Sequence, residues 1–179
     1  LYDKVTNFST SFHNPDACVN PLNSNILIAN TLTNEIRLYD KEGAFQKVLT
    51  ESSNPVVEMR FSSKYLVSLT TSGEVNVWNS TTYEMLKEYK IPKGAVDMDV
   101  YGDYVVFNYK DRLEEYAVDG MVYKKTYKIS STNDFLDVAY SRYGGGRYIY
   151  VTECDSSQCY RRKFIKSSDS YSSLPIRNK

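Results

Sequence analysis

The chain has 179 residues, 22 basic and 22 acidic side chains for a formal net charge of zero, and 17 tyrosines. That length suffices for one well-buried domain. No apolar run approaches the roughly 20 residues a membrane helix needs, which excludes a helical span.

In chain order, the first signal is an echo: Leu1-Tyr2-Asp3-Lys4 returns at Leu38-Tyr39-Asp40-Lys41. The chain therefore opens within a repeat, with a half blade at 1–11 and full blades starting near 16, 56, 96 and 135. That opening and the missing initiator Met point to a fragment or processed chain. After the loop Phe12-His13-Asn14-Pro15-Asp16, the first full repeat offers strand-like runs at 26–29, 36–39 and 45–49, the last run of a repeat being longer and more polar, as suits an outer strand. The second offers 57–61, 66–69, 75–78 and 83–91; the third 96–100, 105–108, 113–116 and 121–129; the fourth 136–140, 149–151 and 161–164. These runs are rich in β-branched and aromatic residues and bounded by turn formers, so they read as strands. Gly43, Gly73, Gly102, Gly120 and Gly144-Gly145-Gly146 fall between them, where hairpins require φ > 0.

Four antiparallel strands in about 40 residues, repeated, predict an all-β protein: a β-propeller of four-stranded blades, part of a larger propeller. Such a blade cannot bury both faces alone, so stacking supplies the core.

Ile26–Leu49 (ILIANTLTNEIRLYDKEGAFQKVL) resembles an NHL repeat, and Leu66–Tyr89, with Ser72-Gly73-Glu74-Val75-Asn76-Val77-Trp78-Asn79, resembles a WD40 repeat. The Gly-His pair of WD40 repeats is absent, and Ser72 and Asn79 stand where that pattern has Asp. Both resemblances imply rings of six to eight blades. Four and a half therefore leave three readings: a fragment, a small closed four-bladed ring completed by Leu1–Ser11, or an open array finished by a partner.

Three blades carry an acid in the innermost strand, Glu58, Asp97 and Asp137, spaced by 39 and 40 residues, with Cys18 one repeat earlier. Carboxylates converging on an axis can hold a hard cation, as in gluconolactonase-type propeller hydrolases, with Asn30, Asn108 and Asn133 as neutral ligands. The alternative is that water or Arg60 pairs with these acids. Neither His13 nor Gly144-Gly145-Gly146 has the surroundings of a triad or phosphate loop. No catalytic, metal or cofactor set is expected.

Residues 141–179 hold eight basic side chains against three acidic ones, leaving the first 140 residues at −5. Arg161, Arg162 and Lys163 form a candidate basic patch for nucleic acid, or a charged strand edge. Cys154 and Cys159 flank one hairpin loop, with free thiols, a disulfide and a metal pair as open alternatives. Asn7-Phe8-Ser9 and Asn79-Ser80-Thr81 match the glycan acceptor pattern at the frequency chance provides.

The function that follows is a non-catalytic scaffold binding protein partners, which complete the propeller or dock on its loops. The candidate loop residues are Asn34, Asn54, Ser72, Lys93, Lys110, Asp111, Asn133 and Asp134. An RNA-binding propeller using the basic last repeat and a metal-dependent hydrolase using the axial acids are the alternatives. The compartment stays open.

Overall fold

A computed structural model describes residues 16–128, 134–154, 158–168 and 171–175. Those residues form four antiparallel four-stranded sheets. The first contains β1 (Asp16–Val19), β2 (Ile26–Asn30), β3 (Glu35–Tyr39) and β4 (Phe45–Glu51). The second contains β5 (Val56–Phe61), β6 (Tyr65–Thr70), β7 (Glu74–Asn79) and β8 (Met85–Lys90). The third has β9 (Asp97–Tyr101), β10 (Tyr104–Asn108), β11 (Leu113–Ala117) and β12 (Val122–Tyr127), with a short 3-10 turn at Asp119–Met121. The fourth has β13 (Asp134–Tyr140), β14 (Tyr148–Cys154), β15 (Cys159–Ile165) and β16 (Tyr171–Pro175). Residues 1–15, with the half blade and His13, lie outside the described residues, as does Asn133.

Within each sheet the strands follow chain order, so every connection is a hairpin. Sheets meet through their first strands: β1 packs on β5, β5 on β9 and β9 on β13. Three apolar cores fill the gaps. Leu27, Ala29, Ile36 and Leu38 meet Met59, Leu66 and Trp78. Val67, Leu69 and Val77 meet Met98, Val100 and Phe107. Val106, Leu113 and Tyr127 meet Val138, Ile149, Val151 and Phe164.

The second sheet is covered on both faces, which is why β6 and β7 are buried along nearly their whole length. Each core side chain contributes roughly 1.5–3 kcal/mol of burial, a sum no single sheet could collect from one face. β8, at the outer edge, is exposed along most of its length and charged accordingly.

Chain direction gives the assembly two ends. First strands begin at the upper face, which carries the loops from one sheet to the next and from second to third strands. They finish at the lower face, beside the hairpins joining first to second strands. Gly43, Gly73, Gly102, Gly120 and Gly144 to Gly146 all have positive φ at their turns.

Candidate functional site

The edge of β1, β5, β9 and β13 turned away from its own sheet exposes backbone N–H groups that the sheet leaves unpaired. Acids on the preceding blade take them. Asp16 Oδ2 accepts from the Met59 N–H at 2.7 Å, and Asp97 Oδ2 accepts from the Val138 N–H at 2.8 Å. Two residues along, Asp99 Oδ2 accepts from the Tyr140 N–H at 2.7 Å.

Register shows that four residues share one position. Asp16 lies opposite Ala29, Glu58 opposite Leu69, Asp97 opposite Asn108 and Asp137 opposite Thr152. Asp16, not Cys18, is thus the first blade's counterpart of the three acids. The span from Asp16 to its partner Ala29 is two residues longer than those from Glu58 to Leu69 and from Asp97 to Asn108, because the β1–β2 hairpin is longer. Sliding the sequence at a fixed period lands on Cys18 for that reason. The Cys18 thiol is pushed up to about 12, chiefly by burial, so it is not a nucleophile at neutral pH.

Between the second and third blades the device changes. Glu58 pairs with Arg60 and hydrogen-bonds Asp97. Burial first, and then the neighbouring Asp16 charge, push its carboxyl up to about 8, while burial carries Asp97 to about 6. Asp97 also accepts from its own Met98 N–H at 2.8 Å.

Asp137 has no hydrogen bond or ion pair among the described residues. It opens instead on the outward side of the fourth sheet, beside Ala139, Tyr150, Thr152 and Arg161, around a cavity of about 250 Å3.

Among the described residues no three His, Cys, Asp or Glu side chains gather as a metal centre. Asn30 and Asn108 are turned to local work, accepting from the Leu32 N–H at 3.0 Å and the Lys110 N–H at 2.8 Å. Both brace second-to-third-strand turns, and Asn108 also stands opposite Asp97 in the ladder.

Those turns carry four of the eight candidate loop residues, and Asn54 and Lys93 lie in the segments between blades. Asn34 and Lys110 take positive φ, 57° and 70°. Ser72 Oγ lies 2.9 Å from Thr70 Oγ1, and Lys90 Nζ donates to it at 3.4 Å. Asp111 pairs with Arg112 at 2.9 Å, whose guanidinium lies 4.3 Å from the Tyr109 ring centre. The Asn54 N–H donates to Ser52 Oγ at 3.2 Å, and Ser52 in turn donates to Glu74 at 3.2 Å. Lys93 is exposed beside Gly94. Asp134 opens β13 at the same face. All of these positions share the upper face on a common rigid frame.

Arg161, Arg162 and Lys163 do not share a face, because alternation along β15 separates them. Arg162 turns into the interface and pairs with fully buried Glu153 at 2.5 Å. Arg161 is exposed on the outward side, and Lys163 Nζ lies 3.8 Å from the Tyr148 ring centre. Cys154 and Cys159, partners across the hairpin, form a disulfide.

No protein-family model matches this chain, and no curated protein matches it in sequence. Solved structures do match. The β-propeller domain of Cps50 (Swd1) from Myceliophteria thermophila superposes with a TM-score of 0.77 at 12% identity, over 97% of this chain and 58% of that one. The fold is that of a partial β-propeller. The propeller superposes likewise on U3-55K, with a TM-score of 0.73 at 16% identity over 92% of this chain and 53% of that one. For the WD40 repeats of RRP9 the values are 0.72, 17%, 92% and 52%. The WD40 resemblance read at Leu66–Tyr89 therefore holds at the level of fold. The propeller spans little more than half the length of these structures.

Proposed function

We propose that this partial propeller is a non-catalytic scaffold for protein partners, recognised through its upper-face loops and completed by further blades. The observation that carries this reading is the outward side of the fourth blade. Asp137 stands there at the position from which Asp16 and Asp97 each accept the next blade's N–H. Around it, Tyr148, Tyr150 and Ile165 are only half-buried. A neighbouring blade would occupy the acceptor and cover the apolar side chains, which at about 25 cal/mol per Å2 favours association.

For recognition, the loops holding Asn34, Asn54, Ser72, Lys93, Lys110 and Asp111 supply varied polar groups on a framed surface. The nucleic-acid reading has less support, since Arg162 is committed to Glu153. The test is affinity capture with the wild type and with a Lys93→Glu, Lys110→Glu, Asp111→Lys variant, each eluate identified by mass spectrometry. Specific partners held by the wild type and lost by a folded variant support loop recognition. Identical eluates overturn it.

A further inference from the structure

At the lower face, opposite the loops, all four blades line a cavity of about 600 Å3 whose walls include Val19, Arg60, Phe61, Ser62, Tyr101 and Arg142. The lining contains two guanidiniums and no carboxylate. The acids that steady these cations sit behind them. Arg142 donates from Nη2 to Asp99 at 2.7 Å and from Nη1 to the Val100 carbonyl at 2.8 Å, and its Cζ lies 5.7 Å from the Tyr101 ring centre. Arg60 pairs with Glu58 and donates to the Met59 carbonyl at 3.0 Å.

A guanidinium has five N–H donors, and these bonds leave donors spare on both residues. Arg142 keeps 53% of its side chain exposed and Arg60 keeps 36%. Asp99, by contrast, is only 3% exposed and cannot compete for a ligand at the surface. Burial and the neighbouring Asp16 charge raise the Glu58 carboxyl, which weakens its hold on the Arg60 charge.

We propose that this lower mouth binds an acidic peptide segment, with a carboxylate on Arg60 and Arg142 and an adjacent apolar side chain against Phe61 and Tyr101. Guanidiniums already held by buried partners lose little rotamer freedom on binding, and their fork geometry suits a carboxylate. The volume falls in the usual ligand range of about 300–1,000 Å3. It exceeds what one inorganic ion fills, and the aromatic walls favour a peptide over such an ion. The site goes beyond the loop reading, because it places a second contact on the other face.

The test is calorimetric titration with acetyl-Phe-Glu-Phe-amide, its Gln analogue and inorganic phosphate. The Glu peptide is expected to bind at least tenfold more tightly than the Gln peptide and than phosphate, and Arg60→Gln or Arg142→Gln to weaken it at least tenfold. Because those changes strand buried acids, Val19→Glu serves as the second variant. Val19 is 58% exposed in the lining, so its replacement places a carboxylate in the mouth without touching the core. Val19→Glu should abolish binding with the melting temperature unchanged, while the loop variant binds normally. Equal binding of both peptides, phosphate binding as tight as the Glu peptide, no binding at millimolar peptide, or indifference to Val19→Glu would each overturn the assignment.

Discussion

Asp97 of the third blade accepts the backbone N–H of Val138 in the fourth at 2.8 Å, so a side chain closes an edge that no strand covers. Asp16 and Met59 repeat the arrangement between the first two blades at 2.7 Å. The inner edges of neighbouring sheets are thereby tied together.

Replacing Asp97 tests that tie. Asp97→Ala strands the Val138 N–H and should lower stability in urea unfolding by about 1–3 kcal/mol. Asp97→Asn retains an acceptor oxygen and should cost less than the alanine. Asp137→Ala is the internal control, since Asp137 has no hydrogen bond or ion pair among the described residues. Its change should stay within about 0.5 kcal/mol. Equal losses at the two positions would refute the role given to Asp97.

Glu58 makes stability depend on pH in a stated direction. Its carboxyl is raised from 4.5 to about 8 on folding, chiefly by burial, and Asp97 from 3.8 to about 6. A raised acid binds its proton more tightly in the native state. Its stabilisation is complete below the unfolded value and is lost as pH climbs through the folded one. The melting temperature should therefore fall by a few degrees between pH 5 and pH 9. Glu58→Gln, which keeps the neutral shape, should flatten that fall and exceed the wild type at pH 9. A wild-type fall undiminished in Glu58→Gln would exclude Glu58 as its source.

The strands were legible because alternation and turn residues are local properties: Val75-Asn76-Val77-Trp78 beside Ser72-Gly73 can hardly be anything else. β16 went unread, since Tyr171-Ser172-Ser173-Leu174-Pro175 has too little apolar pattern to stand out. The axial acids are legible in three blades and not in the first, where a β1–β2 hairpin two residues longer sets Asp16 off the fixed period. What joins Arg162 to Glu153, or Asp97 to Val138, is pairing across the fold, and the chain alone gives no distance. The cysteines were legible as a pair across a hairpin, while their oxidation state depends on conditions outside the chain.

A buried polar knot holds the third blade to the fourth. Glu115, 3% exposed, accepts from the Tyr127 hydroxyl at 2.9 Å and the Tyr140 hydroxyl at 2.7 Å, and pairs with Lys166 at 2.5 Å. Glu115→Ala removes the one acceptor all three share and leaves Lys166 without its counter-charge. Loss of a buried pair's partner typically costs about 3–5 kcal/mol. Chemical denaturation should show that loss, and hydrogen exchange should show early opening of β13 to β15. A loss below about 1 kcal/mol would mean that water replaces the carboxylate.

Gly73 tests the backbone at the turn that carries Ser72. Its φ is 84°, and a Cβ there would lie 2.5 Å from the Ile91 carbonyl oxygen, which itself belongs to the segment leading into the third blade. Gly145 has a φ of 67°, but a Cβ built on it meets nothing within 4 Å. Both alanine variants meet the strain of a left-handed backbone, about 1 kcal/mol or more. Only Gly73→Ala also pushes on backbone that cannot swing aside, because the Ile91 N–H is bonded to the Gly73 carbonyl at 2.9 Å. Gly73→Ala should therefore destabilise the propeller clearly more than Gly145→Ala in paired melting curves. It should also disturb loop-dependent partner capture through the Ser72 turn. Equal destabilisation would show that strain alone, without the close approach to Ile91, governs this turn.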